Sequence, residues 1–135
     1  LSLDDMHVVT EEYDKVGADE VIDLIKKLEG SSDAEEIFLV MDNARSNKNK
    51  TLSKYLKNSK VTPIYLPPYS PNLNPIERLW KVMRTETTYN VYYEAFDLFS
   101  EKIRSFFKNL GNKIDILRRR INDNFQKIKL NPVHV

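Results

Sequence analysis

Two acidic residues, Asp42 and Glu77, are candidates for a functional site at the edge of a predicted sheet. Asp42 directly follows an apolar run that predicts a strand, and functional groups in open α/β sheets gather beyond the carboxyl ends of the strands. Glu77 falls in the first turn of a predicted helix that follows a loop rich in proline and asparagine. Each acid also has a purely structural interpretation, because Asp42 can turn the chain and Glu77 can cap its helix.

The composition restricts what these acids could bind. The chain has no cysteine and only two histidines, which excludes thiolate zinc sites, disulfides and cysteine nucleophiles. Two acids brought together by separate elements repel one another unless a divalent cation lies between them. The prolines of YLPPYSPNLNP restrict where the following helix can begin, and this stiffness favours its return to the sheet edge. We therefore predict an oxygen-ligated site for Mg²⁺ or Mn²⁺.

The elements around the acids alternate in a way that predicts an α/β fold with a sheet layered by helices. Five segments carry the pattern, and they are LSLDDMHVVT, Ala18 to Gly30, Glu36 to Asp42, Asn47 to Asn58 and Val61 to Leu66. The first, third and fifth predict strands, and the second and fourth predict helices. The third is an unbroken apolar run, typical of a central strand covered on both faces. Pro63 indicates an edge position or a bulge in the fifth.

Three further helices are predicted after the proline-rich loop. The first has an apolar stripe beginning at Ile76, and the second has one running from Phe96 to Leu110, after a tyrosine-rich break. Helical spacing favours a core position, rather than a base-stacking role, for the phenylalanines of the second stripe. The last periodic set comprises Ile114, Leu117, Ile121, Phe125 and Ile128.

The segments LVMDNARSNKNK and YLPPYSPNLNPIERLW, in that order, resemble the DDE-superfamily endonuclease domain of mariner-like insertion-sequence transposases. Asp42 and Glu77 are separated by 34 residues, the interval that marks this group, and the resemblance extends from about Leu1 to Leu110. It implies a ribonuclease H-like fold, in which three carboxylates hold two divalent metals for in-line attack on a DNA phosphodiester. By position, Asp42 would be the second of these carboxylates and Glu77 the third.

The sequence departs from this family at the first carboxylate. There the first aspartate lies on the first strand, upstream of two further strands and a helix, whereas one predicted strand precedes the first helix here. LSLDDMHVVT would then be the third strand of an incomplete fold. We expect an N-terminally truncated fragment, inactive alone, whose partner is an upstream transposase polypeptide or a second transposase subunit. Residues 1–110 would be the C-terminal portion of the catalytic domain, and residues 111–135 a helical extension and tail.

A smaller departure follows Asp42. The sequence DNAR continues with Ser46 and Asn47, where many relatives carry a histidine.

DNA, as transposon ends and target, is the partner that the resemblance implies. The net charge of +1 gives no overall attraction for a polyanion, so any contact must come from local basic groups. The candidates are Arg45, Lys48, Arg78, Lys81 and Arg84. The lysines after Asp42 could equally form a solvated helix face.

Two other functions remain open from the sequence. One is a non-catalytic interaction module that pairs with or regulates a full-length transposase. The other is a structural α/β domain in which both acids only cap and turn. No apolar run is long enough to cross a bilayer, and the first residues lack the pattern of a secretion signal. We therefore expect a cytoplasmic, nucleoid-associated protein without a membrane partner.

Overall fold

The computed structural model describes residues 1–68 and 70–121. Its helices and strands are α1 (Ala18–Gly30), β1 (Ile37–Met41), α2 (Lys50–Leu56), β2 (Val61–Tyr65), α3 (Ile76–Thr87), α4 (Phe96–Lys108) and α5 (Ile114–Arg120). Short 3-10 turns span Arg45–Lys48, Pro71–Leu73 and Leu110–Lys113. This mixture of helices with a small parallel sheet agrees with the predicted α/β class. All five predicted helices are present, although Phe125 and Ile128 lie outside the described residues.

The two strands pair in parallel, with Ile37 opposite Val61 and Met41 opposite Tyr65. Helix α2 lies in the connection between them, in the order that the sequence predicted. Within the described residues both strands are edges of the sheet, so the predicted edge position of Pro63 is confirmed. Parallel pairing brings the carboxyl ends of both strands to the same side of the sheet.

Helices α1 and α2 bury one face of the sheet. The buried members of the hydrophobic cluster between them are Ile22, Ile25, Leu52 and Val61. Ile37 and Leu39 of β1 pack against this cluster. The alternation of side chains along a strand then leaves the intervening residues of β1 on the opposite face.

That opposite face is open to solvent. Phe38 is 62% exposed, Val40 is 37% exposed and Ile64 of β2 is 45% exposed. The prediction that β1 is covered on both faces is therefore wrong for the described residues. An unbroken apolar run indicates that both faces of a strand are apolar, but α1 and α2 pack on the same one.

The predicted strand within Leu1 to Thr10 is also wrong. The segment contains a turn, closed by a hydrogen bond from the Ser2 amide to the His7 carbonyl (2.8 Å), and Met6 has a positive φ of 61°. No strand among the described residues pairs with it. Its apolar side chains are used instead by a second hydrophobic cluster, in which Met6 is buried and Val8 is partly buried.

Helices α3, α4 and α5 form this second cluster. Its buried residues are Met6, Leu79, Val82, Phe106, Leu110, Leu117 and Ile121. Trp80 adds an edge-on contact with Phe107, with ring centroids 6.1 Å apart. Phe96, predicted to be in the core, is 77% exposed because it opens α4, nearly three turns before Phe106.

Within residues 1–68 and 70–121, no helix combines the length and the apolar character needed to cross a membrane.

Candidate metal centre at the sheet edge

The ends of the two strands are fastened to one another where Asp42 leaves the sheet. The Leu66 amide donates to the Met41 carbonyl (2.9 Å), which continues the pairing one step beyond β2. The Asn43 side-chain amide then donates to the Leu66 carbonyl. The turn that carries Asp42 and the loop that leads to Glu77 therefore begin at strand ends that are fixed relative to one another.

Asp42 itself is exposed and accepts hydrogen bonds from its own turn. Its Oδ1 accepts from the Ala44 amide (3.1 Å) and from Nδ2 of Asn47 (2.6 Å). The bond to the Ala44 amide is that of an Asx turn, so the structural interpretation of Asp42 holds in part. Both of these bonds from described residues go to the same carboxylate oxygen, which leaves Oδ2 for other ligands.

The proline-rich loop delivers Glu77 in the first turn of α3. The Asn74 side chain accepts from the Ile76 amide (3.3 Å), and the Asn74 carbonyl accepts from the Glu77 amide (3.1 Å). Asn74 thereby supplies acceptors to two of the first amides of the helix. The sequence also allowed Glu77 to take part in capping this helix. Glu77 is exposed, whereas the neighbouring Pro75 is buried and anchors the start of the helix.

Asp42 and Glu77 line the same cavity. It has a volume of about 140 Å³, and its walls are formed by Asp42, Asn43, Leu66, Pro67, Pro68, Ser70, Asn74 and Glu77. The loop between the two acids supplies most of the wall, as its stiffness suggested. The predicted return of the helix start to the sheet edge is therefore present.

The polar groups of the lining residues are of the kind that hard cations prefer. They include two carboxylates, two side-chain amides and one hydroxyl, without sulfur or imidazole. The carboxylate count is small, however. Among the described residues, no group of three or more Asp, Glu or His side chains could hold a metal ion. The donors that line the cavity are therefore of a chemistry that suits a divalent cation, and two of them are carboxylates.

The basic residues predicted to contact DNA fall on two sides of this cavity. Arg45 and Lys48 bound the 3-10 turn after Asp42, and the Lys48 ammonium lies 5.5 Å from the centre of the Tyr65 ring. Arg78, Lys81 and Arg84 lie on α3, where Lys81 and Arg84 are exposed.

Lys81 and Arg84 follow Glu77 by four and seven residues, a spacing that puts all three on one face of α3. This face therefore carries positive charge next to the cavity.

Sequence reasoning did not identify the asparagines as part of the site. Asn43, Asn47 and Asn74 each use a side-chain amide to fix the turn or loop beside an acid. The available signal was their density, since DNARSN and NLN concentrate a residue type that hydrogen-bonds to nearby backbone.

The sequence of the chain is similar to that of known proteins. Residues 2–99 match the family described as the DDE superfamily endonuclease. The insertion element IS630 uncharacterized 39 kDa protein of Shigella sonnei is 33% identical over 92 residues, which cover 67% of this chain and 27% of that protein. The chain thus spans about a quarter of the length of this relative. No solved structure matches the chain significantly.

Proposed function

The chain belongs to the DDE superfamily of endonucleases, and on that basis we propose that it is part of the catalytic domain of a DNA transposase. The proposed reaction is metal-dependent DNA strand cleavage and strand transfer by in-line phosphoryl transfer. The observation that carries the proposal is the cavity lined by both Asp42 and Glu77. These are the two residues that correspond to the second and third carboxylates of the family.

In this proposal Asp42 and Glu77 are the charged ligands of Mg²⁺ or Mn²⁺. When bound there, such ions would supply charge stabilisation for the oxygens of a phosphoryl transfer. The residues of the chain provide the ligand geometry. The Ala44 amide orients Asp42, and Asn74 fixes the turn of α3 that carries Glu77.

We further propose a ribonuclease H-like fold for the complete domain, with its first strands contributed by polypeptide outside these 135 residues. The parallel pair β1 and β2, the crossover helix α2 and the exposed apolar face of the sheet support this proposal. A strand added beside β1 would also carry the first aspartate of the family to the same sheet edge. Residues 1–110 would belong to the catalytic domain, and residues 111–135 would form a C-terminal extension and tail.

DNA is the proposed partner, as transposon ends and as target. Arg45, Lys48, Arg78, Lys81 and Arg84 are the proposed phosphate contacts. The exposed positions of Lys48, Lys81 and Arg84 near the cavity support this assignment. Binding through such contacts would weaken steeply as salt concentration rises.

Complementation tests the proposed reaction. The chain is mixed with DNA carrying the transposon ends and with Mn²⁺, with and without the preceding region of a full-length transposase. Cleavage is expected only in the complemented sample, and Asp42→Asn or Glu77→Gln should abolish it. Cleavage that survives both substitutions would refute the assignment of the two carboxylates.

A non-catalytic module that pairs with or regulates full-length transposase is the second candidate. The exposed apolar side chains Phe38, Val40 and Ile64 favour it, because such a patch on a sheet face is typical of an interaction surface. Stable association with the preceding region, without cleavage by the complex, would support this function over the first.

A further inference from the structure

We propose that Asn47 is a positioning residue for Asp42, holding one carboxylate oxygen so that the other is presented to the cation. This inference rests on the proposed function, because it concerns the metal site in which Asp42 is a ligand.

The hydrogen bonds of the Asp42 carboxylate carry the inference. Nδ2 of Asn47 donates to Oδ1 at 2.6 Å, and the Ala44 amide donates to the same oxygen at 3.1 Å. Two donors on one oxygen restrict rotation of the carboxylate about its bond to Cβ. They also reduce the ability of Oδ1 to coordinate, which favours binding of a cation through Oδ2 alone.

Asn47 is itself fixed from the sheet. Its backbone amide donates to the Ala44 carbonyl (3.0 Å), and its carbonyl accepts from the Tyr65 hydroxyl (2.7 Å). Tyr65 is the last residue of β2, and Lys48 covers its ring. The side chain that orients Asp42 is therefore anchored to the neighbouring strand rather than to a free loop.

This arrangement resembles the outer hydrogen bonds that orient the ligands of metal sites. Such partners fix the direction of a ligand, and their removal typically lowers metal affinity about 10-fold or more. An asparagine amide does this without adding a charge, so it orients Asp42 without competing electrostatically with the cation.

Mn²⁺ affinity of the whole chain, measured by electron paramagnetic resonance, tests the role of Asn47. Asn47→Ala is expected to weaken Mn²⁺ binding about 10-fold. Asn49→Ala is the matched control, since Asn49 lies two residues away and caps α2 by accepting from the Thr51 amide (2.7 Å). It should leave Mn²⁺ affinity unchanged.

A double-substitution cycle separates positioning from a general structural effect. The effect of Asn47→Ala should vanish when Asp42 is already Asn, and it should persist when Glu77 is Gln. If Asn47→Ala does not fold, Tyr65→Phe removes the hydroxyl that anchors Asn47, and it should weaken Mn²⁺ binding to a smaller extent.

The outcomes distinguish the two proposals. If Asp42→Asn and Glu77→Gln leave Mn²⁺ affinity unchanged, the metal site of the proposed function is wrong. If those two variants weaken binding but Asn47→Ala and Tyr65→Phe match the unsubstituted chain, only the role of Asn47 is refuted.

Discussion

At the scale of single residues, the geometry around Asp42 and Glu77 depends on neutral amide side chains as much as on the acids. Asn43 joins the turn after β1 to the loop after β2, and Asn74 holds the start of the helix that carries Glu77. The bonds made by Asn43 and Asn74 fix the backbone, whereas the bond from Asn47 fixes the carboxylate of Asp42. The rigidity of these surroundings holds the two acids at one cavity.

Asn43→Ala should loosen the junction between the two strand ends. It removes the donor to the Leu66 carbonyl, and we expect the free energy of unfolding to fall by about 1 kcal/mol. Hydrogen exchange of the Leu66 amide, which donates to Met41, should become faster. Unchanged exchange at Leu66 would mean that the Asn43 side chain does not fasten the loop.

Glu29 should make stability depend on pH. The Ser59 and Tyr55 hydroxyls donate to its carboxylate and hold the pKa of Glu29 below its usual value, while the same contact raises the pKa of Tyr55 to about 12. Because the folded pKa of Glu29 is depressed, its contribution is present above the unfolded pKa of about 4.3 and is lost as pH falls through the folded value.

Urea denaturation between about pH 3 and pH 7 measures this contribution. The unsubstituted chain should lose more stability than Glu29→Gln as the pH falls below about 4.3. Parallel curves for the two proteins would show that the carboxylate of Glu29 does not contribute through its ionisation.

The two acids could be predicted from the sequence, but the side chain that orients Asp42 could not. Asp42 and Glu77 were identified by their positions after a strand and at a helix start. The bond from Asn47 depends on a 3-10 turn at Arg45–Lys48, which has no distinct pattern in the sequence. The contact between Asn47 and Asp42, although local, was therefore not evident from the sequence.

At the scale of elements, α2 is a short helix in the connection between β1 and β2. It spans only seven residues, and isolated helices of this length are not stable in water. Packing of Leu52, which is fully buried, and the cap at Asn49 therefore stabilise it.

Asn49→Ala should destabilise the chain by about 1 kcal/mol, because the Thr51 amide loses its acceptor. Asn49→Asp should restore most of this loss, since aspartate caps helices about as well as asparagine. Thermal melting of the unsubstituted chain and the two variants checks both expectations. Equal melting temperatures for the unsubstituted chain and the Asn49→Ala variant would contradict the capping role.

The elements that could be predicted are those with strong local patterns. Helix α1 was predicted with its bounds, since its apolar spacing, early acids and late lysine all agree with helix geometry. The segment at Met6 has apolar residues suited to a strand, but a strand also needs a pairing partner. Within the described residues Met6 packs on α3 and its neighbours instead.

At the scale of the whole molecule, two separate hydrophobic clusters stabilise different parts of the fold. One joins the sheet to α1 and α2, and the other joins α3, α4 and α5 with the segment at Met6. Asp42 projects from the first and Glu77 from the second. The cavity between them therefore depends on both clusters being intact.

Leu79→Ala tests the second cluster. Leu79 is fully buried, so its truncation should lower the free energy of unfolding by about 2–5 kcal/mol. Leu98, which is 54% exposed on α4, provides the control, and Leu98→Ala should change stability by less than about 0.5 kcal/mol. Similar losses of unfolding free energy in the two variants, measured by urea denaturation, would contradict the position of Leu79 in the second cluster.

The overall architecture was predictable from element order, but the coverage of the sheet was not. The apolar run of β1 indicated two apolar faces, and both are apolar. Whether a second face is covered depends on what lies beyond the strands, and periodicity within β1 carries no information about that. Phe38 is the clearest example, because its exposure could not be predicted from the sequence of β1.

The most direct test of the central claim is paramagnetic broadening by Mn²⁺ in amide proton and nitrogen spectra of the chain. If Asp42 and Glu77 share one cation, small additions of Mn²⁺ should broaden the resonances of Asn43, Leu66 and Glu77 together. The resonances of Gly30, at the end of α1, and of Gly111, in the 3-10 turn after α4, should remain sharp. Broadening near only one of the two carboxylates, or spread evenly over the surface acids, would contradict a shared site.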